Sequence, residues 1–142
     1  MEKSYVMIKP EFANYDWVIK EVRNRLEAVG LRITCAGFVN YTPEEAKQHY
    51  FEHVEKSFYP ELEGYIVSDK AFGMIVEGEN VIKRVRYIVN GPEKAPSPGS
   101  IRYDIPKLLG RELDMTKNVI HASDKPESEA IEEKIFRGLL NN

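Results

Sequence analysis

One imidazole and three cations are the side chains here best suited to chemistry. His121 closes the apolar stretch Asn118-Val119-Ile120 and is followed by Ala122-Ser123-Asp124. A histidine at a strand end can point into a cleft, and its near-neutral pKa suits a nucleophile or an acid–base group. A merely structural histidine fits the same spacing. Lys9 is locked before Pro10, Arg86 ends a helix face, and Arg102 follows Pro98-Gly99-Ser100-Ile101. A guanidinium offers a planar fork to phosphate oxygens and an ammonium offers a compact point charge. Neither GxxxxGK[ST] nor GxGxxG occurs, so side chains would have to hold any phosphate. Taken singly, each cation reads more simply as a solvated surface charge.

The other candidates are weaker. His49 and His53 stand four apart on a helix, but Tyr50 occupies the position where a zincin carries Glu, and no third ligand is evident. A solvated helix face is the simpler reading. Tyr50, Phe51, Phe58 and Tyr59 read mostly as core, since aromatics at helical spacing usually are. One exposed Phe could stack on a base, worth about 1–3 kcal/mol with little preference among bases.

The elements that must carry these residues follow from periodicity. Tyr5–Ile8 is a short apolar run without alternation, hence a strand buried on both faces. Val18, Ile19, Val22, Leu26 and Val29 recur at helical spacing and Gly30 stops them. Leu31 to Tyr41 alternates as a second strand, with a phase slip and bulge expected at Ala36-Gly37. Thr42-Pro43-Glu44-Glu45 is a helix start with a capping box, leading to Ala46, Tyr50 and Val54 on one face. Glu61 to Ile66 suggests a short helix and Ala71 to Val76 a third strand. Gly78-Glu79-Asn80 opens a helix buried through Val81, Ile82, Val85, Ile88 and Val89. Residues 90–99 hold three of the 8 prolines and read as a loop, and Ile101 to Lys117 is mixed. Asn118–His121 is a fourth strand, and Ile131, Ile135 and Leu139 mark a last helix. The order predicts an α+β, ferredoxin-like sandwich: a four-stranded, mainly antiparallel sheet with helices on one face and the other face free for a subunit contact.

Composition sets the outer bounds. A length of 142 residues suits a single domain, 1–142. Hydrophobic residues at 42 % and charged residues at 30 % match a folded globular chain rather than a disordered one. Lys+Arg 20 against Asp+Glu 23 gives −3, so the basic surplus of a general nucleic-acid binder is missing. A single cysteine, Cys35, excludes an internal disulfide and a thiolate-rich metal site. The polar start Met1-Glu2-Lys3-Ser4 argues against a signal peptide, and no apolar run approaches the roughly 18 residues of a membrane span. A cytoplasmic location without membrane partners is the expectation.

Five segments, in order, resemble one family. Met7-Ile8-Lys9-Pro10, His49-Tyr50, Glu77-Gly78-Glu79-Asn80, Pro98-Gly99-Ser100-Ile101-Arg102 and Asn118-Val119-Ile120-His121-Ala122-Ser123-Asp124 are similar to segments of the nucleoside diphosphate kinases. The resemblance spans nearly the whole chain. It implies transfer of the γ-phosphate of a nucleoside triphosphate to a nucleoside diphosphate, by ping-pong through a phosphohistidine on His121. It implies that Lys9 and Tyr50 meet the sugar hydroxyl and the transferring phosphoryl, that Phe58 stacks on the base, and that Arg86 and Arg102 hold phosphates. Asn118 falls to the ribose end, while Ser123 and Glu132 orient the imidazole. Mg2+ would ride mainly on phosphate oxygens, with Glu52 or Asp124 helping through water. A homo-oligomer, hexamer or tetramer, is implied as well.

Departures from the family pattern are local. Glu11-Phe12 stands where Asp-Gly is usual, and Asn14-Tyr15-Asp16 replaces a Gly-containing turn. Gly91-Pro92 lies where a phosphate-contacting Thr is expected, Tyr103 replaces Gly, and extra residues run over about 105–115. These changes leave a second expectation, a nucleotide-binding regulatory relative with little turnover. A ferredoxin-like RNA-binding module would need alternating strand aromatics and a basic face, and this chain has neither.

Overall fold

The computed structural model describes residues 1–114 and 117–141. Met115, the end of the expected extra segment, lies outside the described residues. The elements are β1 (Lys3–Ile8), α1 (Asp16–Glu27), β2 (Arg32–Val39), α2 (Pro43–His49), α3 (Tyr59–Ile66), β3 (Ala71–Glu77), α4 (Val81–Asn90), α5 (Ile101–Leu108), β4 (Ile120–Ala122) and α6 (Pro126–Leu140). The sheet order is β2-β3-β1-β4 and all three pairings are antiparallel. This is the α+β sandwich that the element order predicts.

Helices cover both faces of the sheet, not one. In β1 the side chains alternate: Val6 and Ile8 join a core with Val18, Val22 and Leu26 of α1, Val81 and Val85 of α4, and Ile101 and Ile105 of α5. Tyr5 and Met7 join a second core with Ala46 of α2, Leu62 and Ile66 of α3, and Ile135 and Phe136 of α6. Continuous burial of Ser4–Ile8 is the sequence signature of that double cover. Phe136 anchors α6, whereas Ile131 is exposed. Gly73 of β3 lets α6 come close: a Cβ there would lie 2.5 Å from the Phe136 ring.

Other boundaries shift slightly. The irregularity in β2 falls between Ile33 and Cys35, ahead of Ala36-Gly37. The helix after Thr42 ends at His49, leaving Tyr50 as its C-terminal cap and Val54 exposed. Thr42 Oγ1 accepts from the Glu45 amide at 3.4 Å and donates to the Glu45 carboxylate at 2.7 Å. Thr42→Ala should therefore cost about 1 kcal/mol in urea-unfolding free energy; no measurable change would show that the cap contributes nothing.

The substituted turn after β1 is braced by the extra segment. Glu11 takes φ 78, unusual for a non-glycine residue. Its carboxylate pairs with Arg111 at 2.6 Å, and that guanidinium lies 5.5 Å over the Phe12 ring.

Candidate active site

The alternation of β4 decides where His121 points. Ile120 and Ala122 sit in the core under α1 and α4, so His121 between them faces the α2 and α6 side. There it meets Tyr5, Tyr50 and His49, with the His49 ring centroid 4.5 Å away. His121 Nε2 is 3.0 Å from Glu132 Oε1 of α6, off the straight line of a hydrogen bond. Glu132 is held in turn: Ser123 Oγ donates to Oε1 at 2.7 Å, and Ser123 Oγ accepts from the Tyr5 amide at 2.9 Å.

The carbonyls on either side of His121 bind the two arginines. Arg86 Nη1 donates to Ala122 O at 3.0 Å. Arg102 donates from Nε and Nη2 to Ile120 O at 3.2 and 3.0 Å, and from Nη1 to Asn90 Oδ1 at 3.3 Å. Lys9 Nζ donates to Asn118 Oδ1 at 2.5 Å.

A cavity of about 500 Å³ opens above this group, a size that suits one small ligand. Lys9, Tyr50, Glu52, Phe58, Arg86, Arg102, His121, Asp124 and Glu132 line it. Phe58 is 44 % exposed at its wall. Two expected residues stand behind the wall: Ser123 is fully buried beneath Glu132, and Asn118 reaches the site through Lys9. Glu52 is tied to Lys125 at 3.0 Å.

Burial and crowded cations shift the titrations. Desolvation, followed by Lys9, Arg102 and Arg86, drives the His121 pKa well below the usual histidine value, so its ring is neutral at pH 7. Burial raises the Glu132 carboxyl to about 7. Burial, then Arg102, lowers Lys9 to about 7, with Asp114 opposing. Arg102 falls to about 10 by burial and Arg86, and keeps its charge.

Sequence reasoning missed three residues. His49 is buried rather than solvated, with burial lowering its pKa to about 3. His53 lines the cavity, and Asn90 holds Arg102. The His49–His53 spacing was visible, but although both rings touch Tyr50, His49 turns to Tyr5, Tyr41 and His121 and His53 to Phe58. The ligand-type atoms that gather are those of His49, His121 and Glu132.

A family profile described as nucleoside diphosphate kinase matches residues 2–138. The chain is 40 % identical to a nucleoside diphosphate kinase of Archaeoglobus fulgidus over 137 residues, 96 % of this chain and 86 % of that one. It is 40 % identical to one from Halalkalibacterium halodurans, over 96 % of this chain and 88 % of the other. Among solved structures, the Aquifex aeolicus nucleoside diphosphate kinase superposes with TM-score 0.80 at 31 % identity, covering 95 % of this chain and 94 % of that one. The Encephalitozoon cuniculi nucleoside diphosphate kinase gives 0.84 at 28 %, covering 97 % and 90 %. With the match running through every element that builds the cavity, the chain belongs to the nucleoside diphosphate kinase family.

Proposed function

We infer that His121 is the phosphoryl acceptor of this nucleoside diphosphate kinase. The observation that carries the reading is a neutral imidazole at the bottom of one cavity, backed by Glu132 and ringed by Lys9, Arg86 and Arg102. With Nε2 turned to Glu132, Nδ1 is the nitrogen left to face the phosphoryl group. Its lone pair attacks the γ-phosphorus, the bond to the bridging oxygen breaks, and the nucleoside diphosphate leaves. A second diphosphate then takes the group back. One cavity serves both half-reactions because the two nucleotides occupy it in turn.

The remaining roles follow from position. Arg86 and Arg102 are fixed by carbonyls before any ligand arrives, the preorganisation that phosphoryl transfer rewards. Lys9 and Tyr50 meet the sugar hydroxyl and the moving phosphoryl group; the Tyr50 hydroxyl has no hydrogen-bond partner among the described residues. Asn118, expected at the ribose end, stands behind the wall and acts by holding Lys9. A divalent cation fits hard phosphate oxygens with carboxylates alongside, and Asp124 and Glu52 stand on the cavity wall. Mg2+ held there would supply neutralisation of phosphate charge.

The chain is read as one domain acting in the cytoplasm; among the described residues no helix is long and apolar enough to cross a membrane. A hexamer or tetramer fits the exposed Phe38 on β2, which lies at one side of the sheet. The regulatory relative without turnover is not favoured, since the acceptor, its carboxylate and the three cations converge.

Phe58→Ala should weaken all nucleotides alike, by about 1–3 kcal/mol, because stacking ignores the base edge. Dissociation constants for purine and pyrimidine diphosphates decide it, and a loss confined to one class would remove the stacking role. The pH profile follows from two groups near 7. Below 7 a protonated Glu132 can donate to Nε2, which places the ring proton on Nδ1 and blocks attack. Above 7 free Lys9 loses its charge. kcat/KM should therefore peak near neutrality, and the alkaline limb of kcat should lie higher because bound phosphate holds the proton on Lys9. A flat profile from pH 6 to 8 would contradict both assignments.

The decisive experiment is incubation with γ-labelled nucleoside triphosphate. Label that is acid-labile and alkali-stable is expected on the wild type and not on His121→Ala. A folded wild-type protein that takes up no label sinks the reading.

A further inference from the structure

None of the steps above uses His49. Its ring is 95 % shielded, boxed by Tyr5, Tyr41, Tyr50 and His121, and neither ring nitrogen has a hydrogen-bond partner among the described residues. A buried imidazole left unsatisfied on both nitrogens is costly to keep. One donor atom each from His49, His121 and Glu132 lies within 4.8 Å of the others. Two imidazoles and a carboxylate form the donor set of a catalytic-type zinc site with an open position. Magnesium prefers oxygen alone, so this trio is not a second magnesium site.

We propose that His49, His121 and Glu132 form a zinc-type transition-metal site whose occupation switches the phosphoryl acceptor off. The His121–Glu132 edge is already short at 3.0 Å. Tetrahedral zinc needs donor separations of about 3.4 Å, so the His49 ring must swing inward by roughly 1.4 Å at most. Ser123 already holds the carboxylate in place, the kind of outer support that ligands need. All three residues line the cavity, so a fourth ligand can reach the metal from there.

The switch follows from proton bookkeeping on the ring. A neutral imidazole bound to metal through Nε2 carries its one proton on Nδ1. The lone pair that would attack phosphorus is then absent. Zinc displaces the Nε2 proton, Nδ1 gains one, and a protonated Glu132 gives its proton to solvent. Metal binding stands independently of the kinase reading; the switch rests on that reading.

Isothermal titration of zinc chloride into the nucleotide-free protein tests the site. A single zinc per chain is expected, with affinity at least ~10-fold lower in His49→Gln and in Glu132→Gln, and within about threefold of wild type in His53→Gln. Should His49→Gln misfold, Glu132→Gln reads the same loss. Equal affinity in all four proteins, or a loss in His53→Gln alone, overturns the site. Zinc-loaded protein should take up little label from γ-labelled nucleotide and recover on chelation. Full labelling with zinc bound overturns the switch. Label without zinc binding sinks this proposal alone, whereas zinc binding without label in the metal-free protein sinks the kinase reading and leaves the site standing.

Discussion

His121→Ala is expected to lower kcat by at least ~10⁴-fold, the scale seen when a covalent acceptor is removed. The proposed role accounts for the size of the effect, since both half-reactions would pass through the ring. The loss should fall on kcat, with binding of a nucleoside diphosphate changed little. Binding by calorimetry and turnover by a coupled assay separate the two. Residual turnover within tenfold of wild type would mean that another group accepts the phosphoryl.

Arg102→Ala should cost about 2–4 kcal/mol in kcat/KM, as loss of a preorganised charge contact does. The guanidinium is fixed by three hydrogen bonds before the ligand arrives, two to Ile120 O and one to Asn90 Oδ1. Alanine removes the charge and also frees both acceptors. Arg102→Lys should recover little, because an ammonium lacks the fork that spans the two. Asn90→Ala is the paired test: it leaves the charge and loosens its seat, so a smaller loss is expected. An Arg102→Ala enzyme with near-normal kcat/KM would dissociate this cation from the phosphates.

The readable and unreadable parts of the chain divide by range of interaction. β1, β3 and the buried stripe of α4 are legible because period and apolarity are local properties. Lys9, Arg86, Arg102 and His121 stand out by type; the expected end positions do not hold for Arg86, which lies mid-way along α4, or for His121, the central residue of β4, and the family resemblance adds roles that spacing alone does not give. Glu132 and Ser123 entered through that resemblance only. What escaped depends on contacts between distant segments. Nothing near His49 signals that it will be buried against His121, since apart from the adjacent Tyr50 the box comes from Tyr5 of β1, His121 of β4 and Tyr41 ahead of α2. The second helix layer was implied by unbroken burial in β1, yet one-sided cover was the expectation, because α2, α3 and α6 are scattered along the chain. The irregularity at Ile33/Cys35 depends on pairing with β3, which no residue of β2 announces.

The anchoring of the arginines has a consequence outside catalysis. β4 is an outermost strand of only three residues, and Ile120 O and Ala122 O are free of β1. Unguarded, such groups invite a strand from another molecule to zip on. Arg86 and Arg102 occupy them with cations that no incoming backbone amide can easily displace. The two arginines thus also guard this edge against strand-to-strand aggregation, and variants lacking both should clump on concentration before they unfold.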